Sequence, residues 1–347
     1  MNTPRVVIAA PLYNKARWLP EAVESLLAQR YADFALLLID DRSDDGTTGL
    51  ARAYAERDGR VHLIVNQRRL GMLANTNRAL TLALERFQDA SYWALASDHD
   101  RWEPRWLEAL VALLDDNPDA VLAYPLTRRI DEHGHEYQRQ KPPWRFETVG
   151  EPDARLRMRH AFRRMAAGDM IYGLFRLEVL RNLGLYRPVL IPDRLLLSEL
   201  ALRGQFVQAP EILWRRRFRG LAELDRQRAL FWPDGAPAYS RLPWWVQHAA
   251  LVAWDYGWAG KGNAVGIGRG AGLRLAAAYL DVSVRHRVWR RGRRMRGRAV
   301  RGRDAVLGPP VKAALRRPSI RRAVRTRLVP MLEHADAVLT RHTEEGP

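Results

Sequence analysis

The 347-residue chain contains no cysteine. That excludes disulfides, zinc–thiolate centres and thiol nucleophiles, and it is compatible with a reducing compartment. Long apolar runs are missing too. A bilayer-spanning helix needs roughly 18 or more consecutive apolar residues, and the best windows, around Leu251 and Ala277, are broken by His248, Asp255, Arg274 and Asp281. Met1 leads directly into the strand-like Val6-Val7-Ile8, so a secretory signal is not expected and a cytoplasmic location is. One stretch is almost without acidic residues: between Arg285 and Arg327, 16 Arg and one Lys face Asp304 alone. It carries +16 of the formal net charge of +18, so the rest of the chain is nearly balanced.

A charge block of this kind contacts nucleic acid or anionic lipid, or is simply solvated. Interleaved tryptophans suit stacked bases as well as a membrane interface. No nucleic-acid motif accompanies the arginines, so nucleic acid is not expected as a partner. An anionic membrane surface, met through residues 285–327, is the favoured one. It would place the protein peripherally on the inner face of the plasma membrane.

The first 125 residues alternate short apolar runs with helical patterns. Strands are expected at Val6–Ala10, Ala35–Ile39, Val61–Val65, Tyr92–Ala96 and Val121–Tyr124, with helices of ten or more residues between them. That rhythm predicts an α/β fold with a doubly wound, mostly parallel sheet. After Pro125 the pattern breaks into a polar, loop-rich segment over 126–160, in which His133 and His135 read as a solvated hairpin rather than a metal site. Order resumes with a helix near His160–Ala167, a strand at Ile171–Arg176 and a helix over Ile191–Arg203, closed by Gly204 as a C′ glycine. A last short strand is expected at Phe206–Ala209. Beyond Trp214 the chain turns aromatic and basic. Leu273, Ala277, Leu280, Val284 and Val288 fall at helical spacing beside Arg285, Arg287 and Arg290. Gly266-x-Gly268-x-x-Ala271 satisfies a dinucleotide-binding pattern but lacks the preceding strand and later acidic residue that the pattern requires.

In open α/β sheets, ligands bind beyond the carboxyl ends of the strands. Three such ends carry polar clusters: Pro11-Leu12-Tyr13-Asn14, Asp40-Asp41 and Asp98-His99-Asp100. An aspartate there can accept a nucleobase ring N–H, and a tyrosine ring can lie against the base. Paired carboxylates can hold a hard cation that neutralises a diphosphate. Taken singly, an acidic turn before a helix is more often a cap; three at once point to a site.

In order, Pro11-Leu12-Tyr13-Asn14, Asp40-Asp41-x-Ser43-x-Asp45-Gly46-Thr47, Gly71-x-x-x-Asn75-x-Asn77-x-Ala79-Leu80 and Asp98-x-Asp100-x-Trp102-x-Pro104 resemble the family 2 glycosyltransferases of GT-A fold. The resemblance covers roughly residues 5–215. It implies inverting sugar transfer from a nucleotide-diphospho-sugar, with a UDP-sugar preferred, to a glycan or lipid-linked acceptor in cell-envelope polysaccharide synthesis. By position it implies that Pro11, Tyr13, Asn14, Asp41, Asn75 and Asp98 bind the donor. Asp98 and Asp100 would hold Mg²⁺ or Mn²⁺. Asp193, at the opening of a helix, would be the catalytic base, and Tyr172 and Gly173 would face the acceptor. The sequence departs from the family in having Pro192 beside the base and His99 inside the acidic motif. The implied organisation is a nucleotide-sugar-binding half at 1–125, an acceptor-binding half at 126–227 and a helical, Trp- and Arg-rich extension at 228–347. The rival reading is a non-catalytic scaffold on a nucleotide-binding fold, acting through its basic tail.

Overall fold

The computed structural model describes residues 3–138, 140, 142–217 and 224–281. The Arg-rich stretch 285–327, with Val284, lies outside them. Contacts divide the chain into two units. One joins Met1–Arg187 with Ile191–Ala236, and the other joins Pro188–Leu190 with the chain from Pro237 onward.

The first unit opens as the hydrophobic rhythm predicts. β1 (Val6–Leu12), α1 (Leu19–Leu27), β2 (Phe34–Asp40), α2 (Thr47–Arg57), β3 (Val61–Val65), α3 (Met72–Arg86) and β4 (Tyr92–Leu95) follow one another. β2 and β4 are buried along their whole length, as strands covered by helices on both faces must be. β5 (Arg101–Trp102), α4 (Trp106–Asp116), β6 (Ala120–Ile130), α5 (Ala154–Arg164), α6 (Ala167–Met170), β7 (Leu174–Arg176), α7 (Leu177–Leu183), α8 (Pro192–Arg203), β8 (Gln205–Arg217) and α9 (Leu224–Phe231) complete the unit.

The eight strands run in the order β3-β2-β1-β4-β7-β6-β8-β5. β1, β2, β3 and β4 pair in parallel, whereas β7 lies antiparallel to both β4 and β6, and β5 is antiparallel to β8. β6 and β8 pair in parallel again, so the sheet is mostly parallel as the rhythm suggested, with β7 and the two-residue β5 as its antiparallel members. Two strands also run past their expected ends. β6 continues through the polar Thr127-Arg128-Arg129 to Ile130, and β8 reaches Arg217, the pair keeping together through several register shifts. Thr127, Arg128 and Arg129 of β6 and Arg215 and Arg216 of β8 are only partly covered or exposed, so the apolar signal that marks a buried strand fades there. His133 and His135 occupy the exposed hairpin turn after β6, and Asp131 accepts both their backbone N–H groups.

Gly204 does not close α8 as a left-handed C′ glycine. Its φ of −178° is extended backbone, and the requirement is space: a Cβ there would stand 2.3 Å from Val121 Cγ1 and 2.7 Å from the Asp119 carbonyl. At Gly71 the demand is conformational as well. Its φ is +86°, and a Cβ would meet Pro233 Cδ at 2.6 Å and the Phe231 carbonyl at 2.7 Å. Glycine at this position allows the end of α9 to seat on the start of α3.

In the second unit, α10 (Trp244–Val252) runs into a π-helical turn at Ala253–Trp258, closed by Ala259 N–H donating to the Trp254 carbonyl at 2.7 Å. A 3₁₀ turn, Lys261–Val265, and a helix over 269–281 follow. Buried His248 is fixed by Tyr279 Oη on one ring nitrogen and the Leu190 carbonyl on the other. The glycine pattern at Gly266–Ala271 follows the 3₁₀ turn rather than a strand, consistent with its rejection as a dinucleotide site.

Candidate active site

Chain order reverses across β1, which lies between β2 and β4. A crevice opens at such a switch point, outside the carboxyl ends of the strands. A cavity of about 290 Å³ occupies it, and Pro11, Tyr13, Asp41, Asn75, Asp98 and Tyr172 all line it. The ends of β1 and β4 are tied directly, Tyr13 N–H donating to Asp98 Oδ2 at 3.3 Å.

Asp41 is the best supported of these side chains. Its Oδ1 accepts from Asn66 Nδ2 at 2.9 Å and Leu70 N–H at 2.7 Å, and its Oδ2 accepts from Gly71 N–H at 2.8 Å. A carboxylate has about four acceptor positions, so one remains on Oδ2, and Asp41 lines the cavity. Asn75 is a brace rather than a free amide. It donates to the Ile39 carbonyl and accepts from Asn66, which locks α3 to the end of β2.

Much of the remaining motif is scaffolding. Asn14, in the left-handed region at φ 52°, exchanges two hydrogen bonds with Asp44, and its carbonyl accepts from Lys15 Nζ at 3.4 Å. Asp40 accepts from Ser43 and Thr48, and Asp45 accepts from Thr47 and Ala16. Asn77 grips both backbone groups of Tyr186, and Tyr186 itself lines the cavity.

The two carboxylates of the acidic motif have separate environments. Asp98, 8 % exposed, borders the cavity, with His99 Nδ1 2.6 Å from its Oδ1. Asp100, 2 % exposed, turns to the end of β8 and accepts Arg217 N–H at 2.7 Å. Arg217 also donates to the His99 carbonyl, so it clamps the whole loop. Burial raises the Asp100 carboxyl above its ordinary pKa. Burial opposes a charge on His99, but the bond to Asp98 and the charges of Asp98 and Asp100 outweigh it, and the imidazole pKa lies above its usual value.

Among the described residues no three His, Asp or Glu side chains converge as a ready-made metal cage. The donor set nonetheless fits a hard cation of the kind that takes one or two carboxylates and completes its shell with water and substrate phosphate. Asp98 presents a carboxylate to the cavity; Asp100 stands behind it.

Asp193 lies in the first turn of α8, two residues after the N-cap Ile191. Ile191 itself is a β-branched residue at φ 55°, a costly backbone state that marks a constrained position. Burial raises the Asp193 carboxyl above its ordinary pKa, while the Arg194 N–H and the charges of Arg194 and Arg216 pull the other way. Its charge is felt by both Tyr172 and Tyr186, which line the cavity. Asp193 is not itself among the residues that line the cavity; its charge reaches the two tyrosines that do. Gly173 has a packing role: a Cβ would stand 2.4 Å from the Ala123 carbonyl of β6.

Several lining side chains have no counterpart in the sequence reading: Lys15, Arg69, Thr76, Tyr186 and Arg226. The Arg69 guanidinium lies 4.1 Å from the centre of the Tyr13 ring, and Asp41 holds its neighbour Leu70 in place. Neither feature is visible without the fold. Arg226 sits on α9, a helix held at this end of the sheet by the Gly71 contact and by Gln227, which accepts the Ile191 N–H at 3.1 Å.

Residues 7–184 match the family description "Glycosyl transferase family 2", and the chain belongs to that family. It is 37 % identical over 117 residues to the putative glycosyltransferase EpsE of Bacillus subtilis, covering 33 % of this chain and 40 % of that protein. It is 30 % identical over 105 residues to the putative teichuronic acid biosynthesis glycosyltransferase TuaG of the same organism, covering 30 % and 40 %. An uncharacterized protein of Sinorhizobium fredii, y4gI, is 33 % identical over 146 residues, 41 % of this chain and 16 % of that one. The chain thus spans less than half of each of these relatives. Among solved structures, S. aureus TarS 1–349 in complex with UDP-GlcNAc superposes with a TM-score of 0.56 at 13 % identity, covering 80 % of this chain and 72 % of that one. The likeness shows the GT-A-type fold.

Proposed function

We propose that the chain is an inverting glycosyltransferase that moves a sugar from a nucleotide-diphospho-sugar to an acceptor hydroxyl, with Asp193 as general base. One observation carries the reading. A single cavity joins Tyr13, Asp41 and Asp98 to Tyr172 and Tyr186, and the last two feel the charge of Asp193. The donor's base lies against the Tyr13–Arg69 stack. The one open acceptor position on Asp41 takes a ring N–H, which uracil provides at N3. A UDP-sugar is the preferred donor, and TarS, which binds UDP-GlcNAc, supports the choice.

The diphosphate falls toward Asp98, with Lys15 and Arg226 also on the cavity wall. Mg²⁺ or Mn²⁺ bound by Asp98 would neutralise the leaving diphosphate; Asp100 supports the loop from behind. Inversion requires a base on the face opposite the leaving group. Asp193 takes the acceptor's hydroxyl proton as the oxygen bonds to the anomeric carbon and the nucleoside diphosphate departs. Pro11 and Tyr172 shape the pocket walls. Asn14 and Asn75 act through the loops they hold, and Gly173 through its contact with β6.

The acceptor is a glycan or lipid-linked saccharide of the cell envelope, in keeping with the name of TuaG. Among the described residues no helix is long and apolar enough to cross a membrane, and peripheral attachment through residues 285–327 would bring the site to such an acceptor. A scaffold would have no use for Tyr13, Asp41 and Asp98 gathered on one cavity, and that reading is not favoured.

The test is a panel of UDP-, GDP- and TDP-sugars, titrated with and without Mn²⁺ and followed for slow hydrolysis. Tight, Mn²⁺-enhanced binding of one UDP-sugar is expected. Binding of none would remove the reading.

A further inference from the structure

The second unit shows an apolar face that its own fold leaves open. Trp258 is 72 % exposed and Leu273 55 %. They belong together because two glycines let their backbones touch: a Cβ on Gly272 would lie 2.3 Å from the Tyr256 carbonyl, and one on Gly257 would lie 2.6 Å from Leu273 Cδ2. The π-helical turn stacks Trp254 on Trp258, ring centres 6.4 Å apart at 19°. Ala277, one turn beyond Leu273, is exposed on the same stripe.

Charge around this face is mainly basic, and Asp281, one turn beyond Ala277, is an exposed acid on the same stripe. Arg269 and Arg274 are exposed beside it, whereas the nearby Asp255 is buried and pairs with Lys261 at 2.9 Å. In the sequence the spacing Leu273-Ala277-Leu280 continues through Val284 and Val288, flanked by Arg285, Arg287 and Arg290. An apolar stripe edged by arginine and led by tryptophan matches the membrane interface, where indole rings settle at headgroup depth and arginines meet lipid phosphates.

We infer that Trp258 and Leu273 form an apolar anchor by which the second unit docks on an anionic lipid surface. The partner is the one proposed for residues 285–327, but the anchor rests on different residues and on insertion rather than charge alone. It does not depend on the sugar-transfer reading.

The experiment is sedimentation of the full chain with phosphatidylcholine vesicles, with and without phosphatidylglycerol, at low and high salt. The wild type should bind the phosphatidylglycerol vesicles and keep part of that binding at high salt, since apolar insertion is not screened. The double variant Trp258→Ser, Leu273→Ser should lose about tenfold in partitioning, with its melting temperature and nucleotide-sugar affinity unchanged. Trp258→Phe should bind nearly as well, yet lose part of the tryptophan quenching produced by acyl-brominated lipid. Wild-type-like partitioning of the double variant, with quenching unaltered in Trp258→Phe, would overturn the anchor while leaving attachment through the basic tail standing. Absence of any vesicle binding would overturn both. A dimer of the wild type that the double variant dissolves would assign the face to a second copy instead.

Discussion

Arg216 Nη1 stands 2.8 Å from Asp169 Oδ1. The charge of this guanidinium reaches Asp100, Tyr172 and Asp193, and so it links the donor side of the site to the proposed base. Burial favours a protonated Asp193, and Arg216 favours the ionised form that a base requires. Transfer should therefore rise with pH as Asp193 ionises, with a midpoint above the ~3.9 of a free aspartate. Arg216→Gln removes a positive charge and should move that midpoint further up, while Arg216→Lys should largely preserve it. Profiles of kcat/KM against pH decide this, and a midpoint that stays or falls in Arg216→Gln contradicts the assignment.

Asp41 is structural as well as chemical, because three N–H donors converge on it. Asp41→Ala strands them near the buried start of α3, and urea unfolding should show a loss of about 2–4 kcal/mol together with lost donor binding. Asp41→Asn keeps two acceptor positions on one oxygen and should recover most of the stability. Its amide meets the base with the wrong group, so donor affinity should stay low by calorimetry.

The two aspartates of the acidic motif should separate in the same assays. Asp98→Ala should lower Mn²⁺-dependent donor affinity by about tenfold, equivalent to ~1.4 kcal/mol, beyond the stability it loses through the Tyr13 N–H and His99 bonds. Asp100→Ala leaves the Arg217 N–H without its partner and should cost about 1–3 kcal/mol of stability. Equal effects of both on metal-dependent binding would show instead that Asp100 turns into the cavity when donor binds.

The strands that end at Leu12, Asp40 and Leu95 were legible because each is a short apolar run closed by polar residues, and position at a strand end places Tyr13, Asp41 and Asp98 in one crevice. What stayed hidden depends on partners distant in sequence. Nothing near Leu174 says that β7 runs antiparallel between β4 and β6. The polar ends of β6 and β8 carry no apolar pattern, since they stabilise each other by backbone pairing. Gly204 reads as a helix stop, and only the approach of Val121 shows why no larger residue fits. Arg69 and Arg226 are ordinary surface-type arginines in the sequence; the Tyr13 ring and the seat of α9 on Gly71 bring them to the cavity. His99 now has a place, bonded to Asp98 above the Arg217 clamp.

The central claim is that Asp193 takes the proton of the acceptor hydroxyl. Asp193→Asn preserves the size of the side chain and the start of α8, so nucleotide-sugar affinity should remain within about twofold of wild type, a difference of under ~0.5 kcal/mol. Transfer, measured as released nucleoside diphosphate in the presence of acceptor, should fall by about 10²–10⁴-fold. Transfer at the wild-type rate with donor binding intact would contradict the account.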